Sequence, residues 1–272
     1  MSGSEVRDGD RRRTARWRDW AVSFLALVSR DVTVLGREVP SFLAQTVLQP
    51  FLMLLVLGTV LTDLGYLRPD YPSVLLPGIV ALTAFLGACQ HTTLNLVFDF
   101  SYTREIDDRL LAPAPTALVA LAKVVTGALR GLVAAVVVTP VAFLTLGTWW
   151  SPAECLVAFV VVLAGSGVGA ALGMVLGTAV EPSQISATFA VVVIPLSFTG
   201  ATHFPWPLLA ELRWFQVVSA LNPLTYVSES LRGAVSPEVP HLSGWISVPA
   251  VLGLLLVFGL LGVRGFRRRA IR

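Results

Sequence analysis

Charge is what this sequence has least of. Only 14% of its 272 residues are Asp, Glu, Lys or Arg, where soluble domains carry roughly 25%. With 55% hydrophobic residues and a mean hydropathy of +0.75, that scarcity excludes a disordered chain and an ordinary soluble enzyme. Cysteine is nearly missing. Cys89 and Cys155 both lie in apolar runs, which excludes a disulfide-stapled secreted domain. Lysine occurs once, as Lys123, and Val124 follows it. A P-loop needs Gly-Lys-Ser/Thr because its lysine reaches the nucleotide phosphates, so this chain cannot hydrolyse ATP by that route. His203 and His241 have no partner histidine or cysteine at ligand spacing, which argues against zinc. No Gly-x-Ser-x-Gly nucleophile motif is present, and no internal repeat of the kind that builds inverted-repeat transporters.

Long apolar runs are what remains. A membrane span takes about 20 mainly apolar residues. Six are expected, over about 40–61, 74–98, 117–146, 153–180, 185–197 and 246–263. Pro195 interrupts the fifth, and Gly200 follows it. The fold class is an all-α polytopic membrane protein. Basic residues sort to one side of this arrangement. Eight arginines between Arg7 and Arg37 precede the first span, Arg104 and Arg109 follow the second, and Arg264, Arg267, Arg268, Arg269 and Arg272 close the chain. The other side receives Arg68, Arg213 and Arg232. The positive-inside rule then places both termini in the cytoplasm. It also accounts for the net charge of +3 without nucleic acid as a partner. Three regions are expected: 1–39, a cytoplasmic N-terminus with an interfacial helix; 40–263, the membrane domain; and 264–272, a basic cytoplasmic tail.

The N-terminal basic stretch is no signal peptide. Trp17, Trp20, Phe24, Leu27, Val28, Val34 and Leu35 recur at helical spacing among arginines, which suits an amphipathic helix on the membrane surface. The loop after the second span, Arg104-Glu105-Ile106-Asp107-Asp108-Arg109-Leu110-Leu111, puts Ile106 and Leu110 on one helical face before Pro113 and Pro115 stop it. It is open between a plug for a partner's groove and a solvated connection. Asp107-Asp108 invites a magnesium–diphosphate reading, but Arg109, Leu110 and Leu111 follow and no second acid cluster exists. In the second span His91, Asn95 and Asp99 share a face, and Gln45 and Gln49 do so in the first. Such residues line a wet path or join helices by hydrogen bonds. Arg130 is the arginine that could sit deep. Gly165, Gly169, Gly173 and Gly177 form a small-residue ridge for close helix packing, within or between subunits. The stretch 198–244 holds Thr199, His203, Phe204, Trp206, Asn222 and Tyr226. It is too long and apolar for a simple loop and reads as re-entrant or interfacial helices on the outer side, where Glu229 and Arg232 can pair.

Taken together, these features resemble the ABC-2 type permeases, the membrane subunits of bacterial ABC exporters of the daunorubicin-resistance kind. The amphipathic N-terminal helix, the charged loop ending in Leu110-Leu111-Ala112-Pro113, six spans with both ends inside, and Leu221-Asn222-Pro223-Leu224-Thr225-Tyr226 followed by Leu231-Arg232-Gly233 carry the resemblance. It implies a permease in the bacterial plasma membrane, paired with a second copy or a related permease. Two separate cytoplasmic ATPase subunits would bind the ATP and magnesium, and this chain would bind no cofactor. Residues 104–111, within a segment of about 101–116, would be the coupling helix. Gln45, Gln49, His91 and Asn95 would line the path, and the 199–231 region would form the outer gate. The expected cargo is a hydrophobic or amphipathic, largely neutral drug, lipid or glycolipid moved outward. A lipid-linked polysaccharide exporter and a non-transporting scaffold or sensor are the rival readings.

Overall fold

The computed structural model describes residues 20, 22, 24–26, 28–30, 47–101 and 115–270. The candidate coupling helix 104–111, Gln45 and most of the N-terminal amphipathic stretch lie outside the described residues. Among those described, every regular element is a helix: α1 (Val47–Asp63), α2 (Tyr71–Ser101), α3 (Thr116–Leu146), α4 (Pro152–Ala179), α5 (Pro182–Thr199), α6 (Arg213–Ala220), α7 (Pro223–Val235) and α8 (Gly244–Ala270). Five of them, α2, α3, α4, α5 and α8, are long and apolar enough to cross a membrane, and α1 is a shorter apolar helix. The chain is thus a multi-pass membrane protein.

Local sequence explains the helix ends. Ser151 opens α4 with a reciprocal cap: its hydroxyl accepts from the Glu154 N–H at 3.3 Å, and Glu154 Oε2 accepts from the Ser151 N–H at 2.6 Å. Pro152 takes the first helical position, where a missing N–H costs nothing. Gly147 closes α3 in the left-handed region, φ +66°, where a Cβ would be strained. Within α5, a π-helical stretch at Phe189–Val193 precedes Pro195. The expected fifth span is therefore an irregular helix.

The centre of the bundle is α2, packed along α4 and α3. Small residues make the approach close. A Cβ on Gly169 or Gly173 would collide with the carbonyl oxygens of Phe85 and Cys89, and one on Gly177 would stand 3.0 Å from that of Thr93. Thr93 Oγ1 lies 2.8 Å from the Cys89 carbonyl oxygen and 3.1 Å from that of Gly173. Gly165 faces α7 instead, against Val227. On α3, Gly131 meets the Ala84 carbonyl and Gly127 meets Thr92. With no hydrophobic driving force between helices in lipid, association depends on such contacts.

The last helix does not stop where the apolar run stops. α8 continues through Arg264 to Ala270, with Phe266 fully buried, so most of the expected basic tail is a helical extension. α5 and α8 turn apolar side chains away from the bundle, among them Val191, Ile194, Phe198, Leu252 and Leu256.

Candidate functional site

Three helices enclose a cleft of about 230 Å³ between α1, α2 and α3. Its polar wall consists of Gln49 from α1, Thr83, Gln90 and His91 from α2, and Arg130 from α3, the Thr83 hydroxyl donating to the Ile79 carbonyl. Its apolar wall includes Met53, Ile79, Leu82, Leu86 and Leu94. Gly87 also lines it, and a Cβ there would stand 3.6 Å from Ala134 on α3, an ordinary packing distance. Arg130 lies about 21 Å from the start of α3 and about 24 Å from its end, at about 1.5 Å per residue. It therefore lies near mid-span. Charges at that depth face a bundle interior or a wet cavity, because exposure to hydrocarbon costs several kcal/mol. Asn95 is not on the cleft wall. Its Nδ2 donates to His91 Nε2 at 2.8 Å, which fixes the ring from one turn away.

Above the cleft the stretch 200–243 folds into a cap. Met53 reaches it from the cleft wall, its sulfur 3.3 Å from His203 Nε2. Tyr71 at the start of α2 donates to the His203 carbonyl at 3.0 Å, and Phe198 stacks on the His203 ring. Burial first, and then the Arg232 charge, lower the His203 pKa below its ordinary value, so the ring is neutral near pH 7. Asn222 caps α7, with Oδ1 accepting from the Leu224 N–H at 2.9 Å, while its Nδ2 donates to the Leu196 carbonyl and to Thr199 Oγ1 at 2.8 and 2.9 Å. Tyr226 donates to the Ala220 carbonyl at 2.8 Å. Phe204 packs on Phe215, and Trp206 Nε1 donates to the Gln216 carbonyl at 3.1 Å.

One ion pair ties this cap together. Arg232 Nη1 bonds Glu229 Oε1, both side chains fully buried. The same carboxylate accepts from the backbone N–H groups of Trp206 at 3.0 Å and Leu242 at 2.6 Å. Arg232 Nη2 donates to the carbonyls of Ala201 at 2.9 Å and Val74 at 3.4 Å. Ala201 holds φ +52°, a left-handed backbone uncommon outside glycine, and the guanidinium takes its carbonyl. Four chain segments therefore meet on two side chains.

The opposite end is also tied. Lys123 Nζ lies 2.6 Å from Asp99 Oδ2, with 6% and 11% of the two side chains exposed. This pair joins α2 and α3 on either side of the 102–114 segment. Phe100 packs on Phe266, their centroids 5.5 Å apart, and the Arg269 guanidinium lies 4.9 Å from the Phe100 ring centroid. Arg269 Nη1 donates to the Gly177 and Val180 carbonyls at 2.9 and 3.0 Å, which occupies acceptors at the end of α4.

Of the expected path residues, Gln49 and His91 share the cleft, Asn95 stands behind His91, and Gln45 is outside the described residues. Of the expected gate residues, His203, Phe204, Trp206, Asn222 and Tyr226 lie in the cap, and Thr199, the last residue of α5, bonds to it through Asn222. Sequence reasoning assigned no site role to the Asp99–Lys123 and Glu229–Arg232 pairs. Their signal was available: a lone lysine in an apolar run, and an acid and a base three apart in a stretch otherwise almost free of charge. Among the described residues no three of His, Cys, Asp and Glu gather as a metal site.

Comparison with known proteins identifies the family. The transport permease ycf38 of Cyanophora paradoxa is 25% identical over 268 residues, covering 89% of this chain and 87% of its own. The Porphyra purpurea protein of the same name is 26% identical over 253 residues, covering 87% and 84%. The inner membrane transport permease YadH of Escherichia coli K12 is 25% identical over 167 residues, covering 60% of this chain and 62% of its own. The family model for ABC-2 type transporters matches residues 22–235, well over half the sequence, and the chain therefore belongs to the ABC-2 type transporter family.

Proposed function

We propose that this chain is the permease subunit of an ATP-driven exporter that moves a hydrophobic or amphipathic molecule out of the cytoplasm or the inner leaflet. The observation that carries the proposal is the cleft between α1, α2 and α3, where Gln49, Gln90, His91 and Arg130 sit inside an apolar bundle. A scaffold has no use for a polar cleft at that depth, because polar groups in a span are costly unless function requires them. In this reading the first of six spans includes α1, both termini are cytoplasmic, and the 200–243 cap faces outward as the gate. Two copies of the permease, or this one and a relative, associate in the bacterial plasma membrane.

The chain carries no P-loop, so two separate ATPase subunits supply the energy. Residues 104–111 form the coupling helix that seats in a groove of the ATPase. The Asp99–Lys123 pair and the Phe100–Phe266–Arg269 contacts hold the flanks of that segment, so a push on it moves α2, α3 and α8 together. Closure of the ATPases on ATP then shifts the permeases between two states, each favoured by a different nucleotide condition.

The test is a mild-detergent pull-down of the tagged chain from its native membranes, with the bound proteins identified and assayed for ATP hydrolysis. A P-loop ATPase is expected with the wild type and is expected to be lost from Leu110→Asp, the inserted permease remaining at normal level. Intact permease with no ATPase bound, or an ATPase bound equally to Leu110→Asp, would sink the reading.

A further inference from the structure

Towards its C-terminal end α8 presents two faces. Gly262, Gly265, Phe266 and Arg269 turn inward. A Cβ on Gly262 would stand 3.0 Å from Met174, and one on Gly265 would meet Thr178 at 2.5 Å. Phe266 is fully buried, and Arg269 bonds the carbonyls at the end of α4. These four positions recur at helical spacing, so they fix the rotation of the helix. The opposite face is Val257, Leu260, Leu261, Arg264, Arg267 and Arg268, and all six are exposed.

The depth of the arginines follows from the other end of the same helix. Trp245 is 92% exposed, and no charged residue stands between it and Arg264. The rise from one to the other is about 28 Å at about 1.5 Å per residue, close to the roughly 30 Å of bilayer hydrocarbon. Tryptophan suits one interface and arginine the other. Arg264, Arg267 and Arg268 therefore stand at headgroup level, at the Ser101 end of α2, where Phe266 packs on Phe100.

Three guanidinium groups on one face select headgroups by charge. α8 carries no acidic residue, and Glu181, in the turn after α4, acts on Arg269 of the inward side. Guanidinium forks match phosphate oxygens, and their stems can lie along the apolar surface below. Each arginine near an anionic membrane surface favours association by about fivefold. A zwitterionic headgroup offsets that attraction with its own cation. Val257, Leu260 and Leu261 lie beneath the arginines, where an acyl chain can cover them and a free anion cannot.

We infer that this face of α8 is a binding site for an anionic phospholipid. Arg264, Arg267 and Arg268 take the phosphate, and the acyl chains lie against Val257, Leu260 and Leu261. The site is separate from the cleft and requires neither transport nor an ATPase.

The test uses the full chain reconstituted in phosphatidylcholine vesicles. A trace of lipid with a photoreactive acyl chain is added, either phosphatidylglycerol or phosphatidylcholine, and the crosslinked peptides are mapped. Phosphatidylglycerol is expected to label residues 257–261 about tenfold or more over phosphatidylcholine. Combining Arg264→Gln, Arg267→Gln and Arg268→Gln is expected to bring the two labels to near parity. Arg213→Gln, at an exposed position on the cap, is expected to leave the ratio unchanged. Unlabelled phosphatidylglycerol is expected to compete, and glycerol phosphate is not. Equal labelling by the two lipids, a preference that survives the triple variant, or one that falls as far in Arg213→Gln overturns the proposal. Competition by glycerol phosphate as strong as that by the lipid overturns it too, since the site is then one for a free anion. So does a face that takes no label because a second copy covers it, read as a dimer that the triple variant splits. Should the triple variant fail to reconstitute, the wild-type ratio and Arg264→Gln alone, expected to lower it about fivefold, decide.

Discussion

Replacing Glu229 by glutamine removes one charge and almost no volume, so what is lost is electrostatic. Arg232 is fully buried and keeps its proton. Removing one partner of a buried pair costs about 3–5 kcal/mol, because the remaining charge is left uncompensated. Two backbone donors, Trp206 N–H and Leu242 N–H, also depend on this carboxylate. The glutamine oxygen can serve one of them, and its NH₂ group faces the other donor or Arg232. An orphaned buried N–H adds about 1–3 kcal/mol. The expected loss is therefore roughly 4–8 kcal/mol in total, a fall in Tm of more than about 10 °C for a chain of this size. Adding Arg232→Met removes the stranded charge. The double variant is expected to be more stable than Glu229→Gln alone, since apolar replacement of a buried pair is often neutral or better. Melting followed by tryptophan fluorescence in detergent supplies the four corners of the cycle. A Glu229→Gln protein melting within 2 °C of wild type, or strictly additive losses, would refute the assignment of this pair as the clasp of the cap.

Three further outcomes are expected. Gly173→Ala puts a methyl group against the Cys89 carbonyl and Gly169→Ala against that of Phe85; each is expected to lower the yield of folded protein by an overpacking cost of about 1–3 kcal/mol. Gly253→Ala and Gly259→Ala, whose added Cβ meets nothing within 4 Å, are expected to leave gel-filtration profiles unchanged. Burial and Arg232 lower the His203 pKa, so the unfolded state takes up its proton first as pH falls. Stability from this residue is complete above the unfolded value near 6.5 and is lost as pH drops below it toward the folded value. His203→Gln is expected to flatten that part of the Tm–pH curve, and an unchanged slope counts against it. A membrane-impermeant maleimide added to spheroplasts is expected to label Cys155, which is exposed at the start of α4, and to spare the buried Cys89. Labelling of Cys155 only after lysis would reverse the orientation.

Much of the architecture is legible because lipid imposes a simple requirement. Backbone polar groups must be satisfied within a span, so apolar runs of sufficient length become helices. That reasoning placed α2, α3 and α4 within a few residues of their observed ends. At the end of α8 the arginines mark where the apolar run stops, and the helix runs on past that point to Ala270. The helix continues because Phe266 is buried against Phe100 and Arg269 has carbonyls of α4 to bond. It also gave no warning of the π-helical stretch in α5, which depends on local backbone geometry that apolar composition does not encode. The glycine ridge was visible as a period of four, but its partners were not: three of its glycines meet α2 and the fourth meets α7. Choice of partner is a tertiary property.

The cleft was half legible. Gln49 and His91 stood out because polar residues in an apolar run are conspicuous. Arg130 was equally conspicuous, yet a single arginine on α3 could have faced any neighbour. In the fold Arg130 lines the cleft with His91, on a helix that Gly127 and Gly131 let lie close to α2. Two glycines with no chemistry of their own thus set how near α3 comes to α2. Gly131→Ala puts a methyl group against the Ala84 carbonyl and is expected to lower the yield of folded protein by an overpacking cost of about 1–3 kcal/mol. A Gly131→Ala protein recovered at the wild-type yield and melting at the wild-type temperature would show that the approach of α3 to α2 does not depend on the missing side chain.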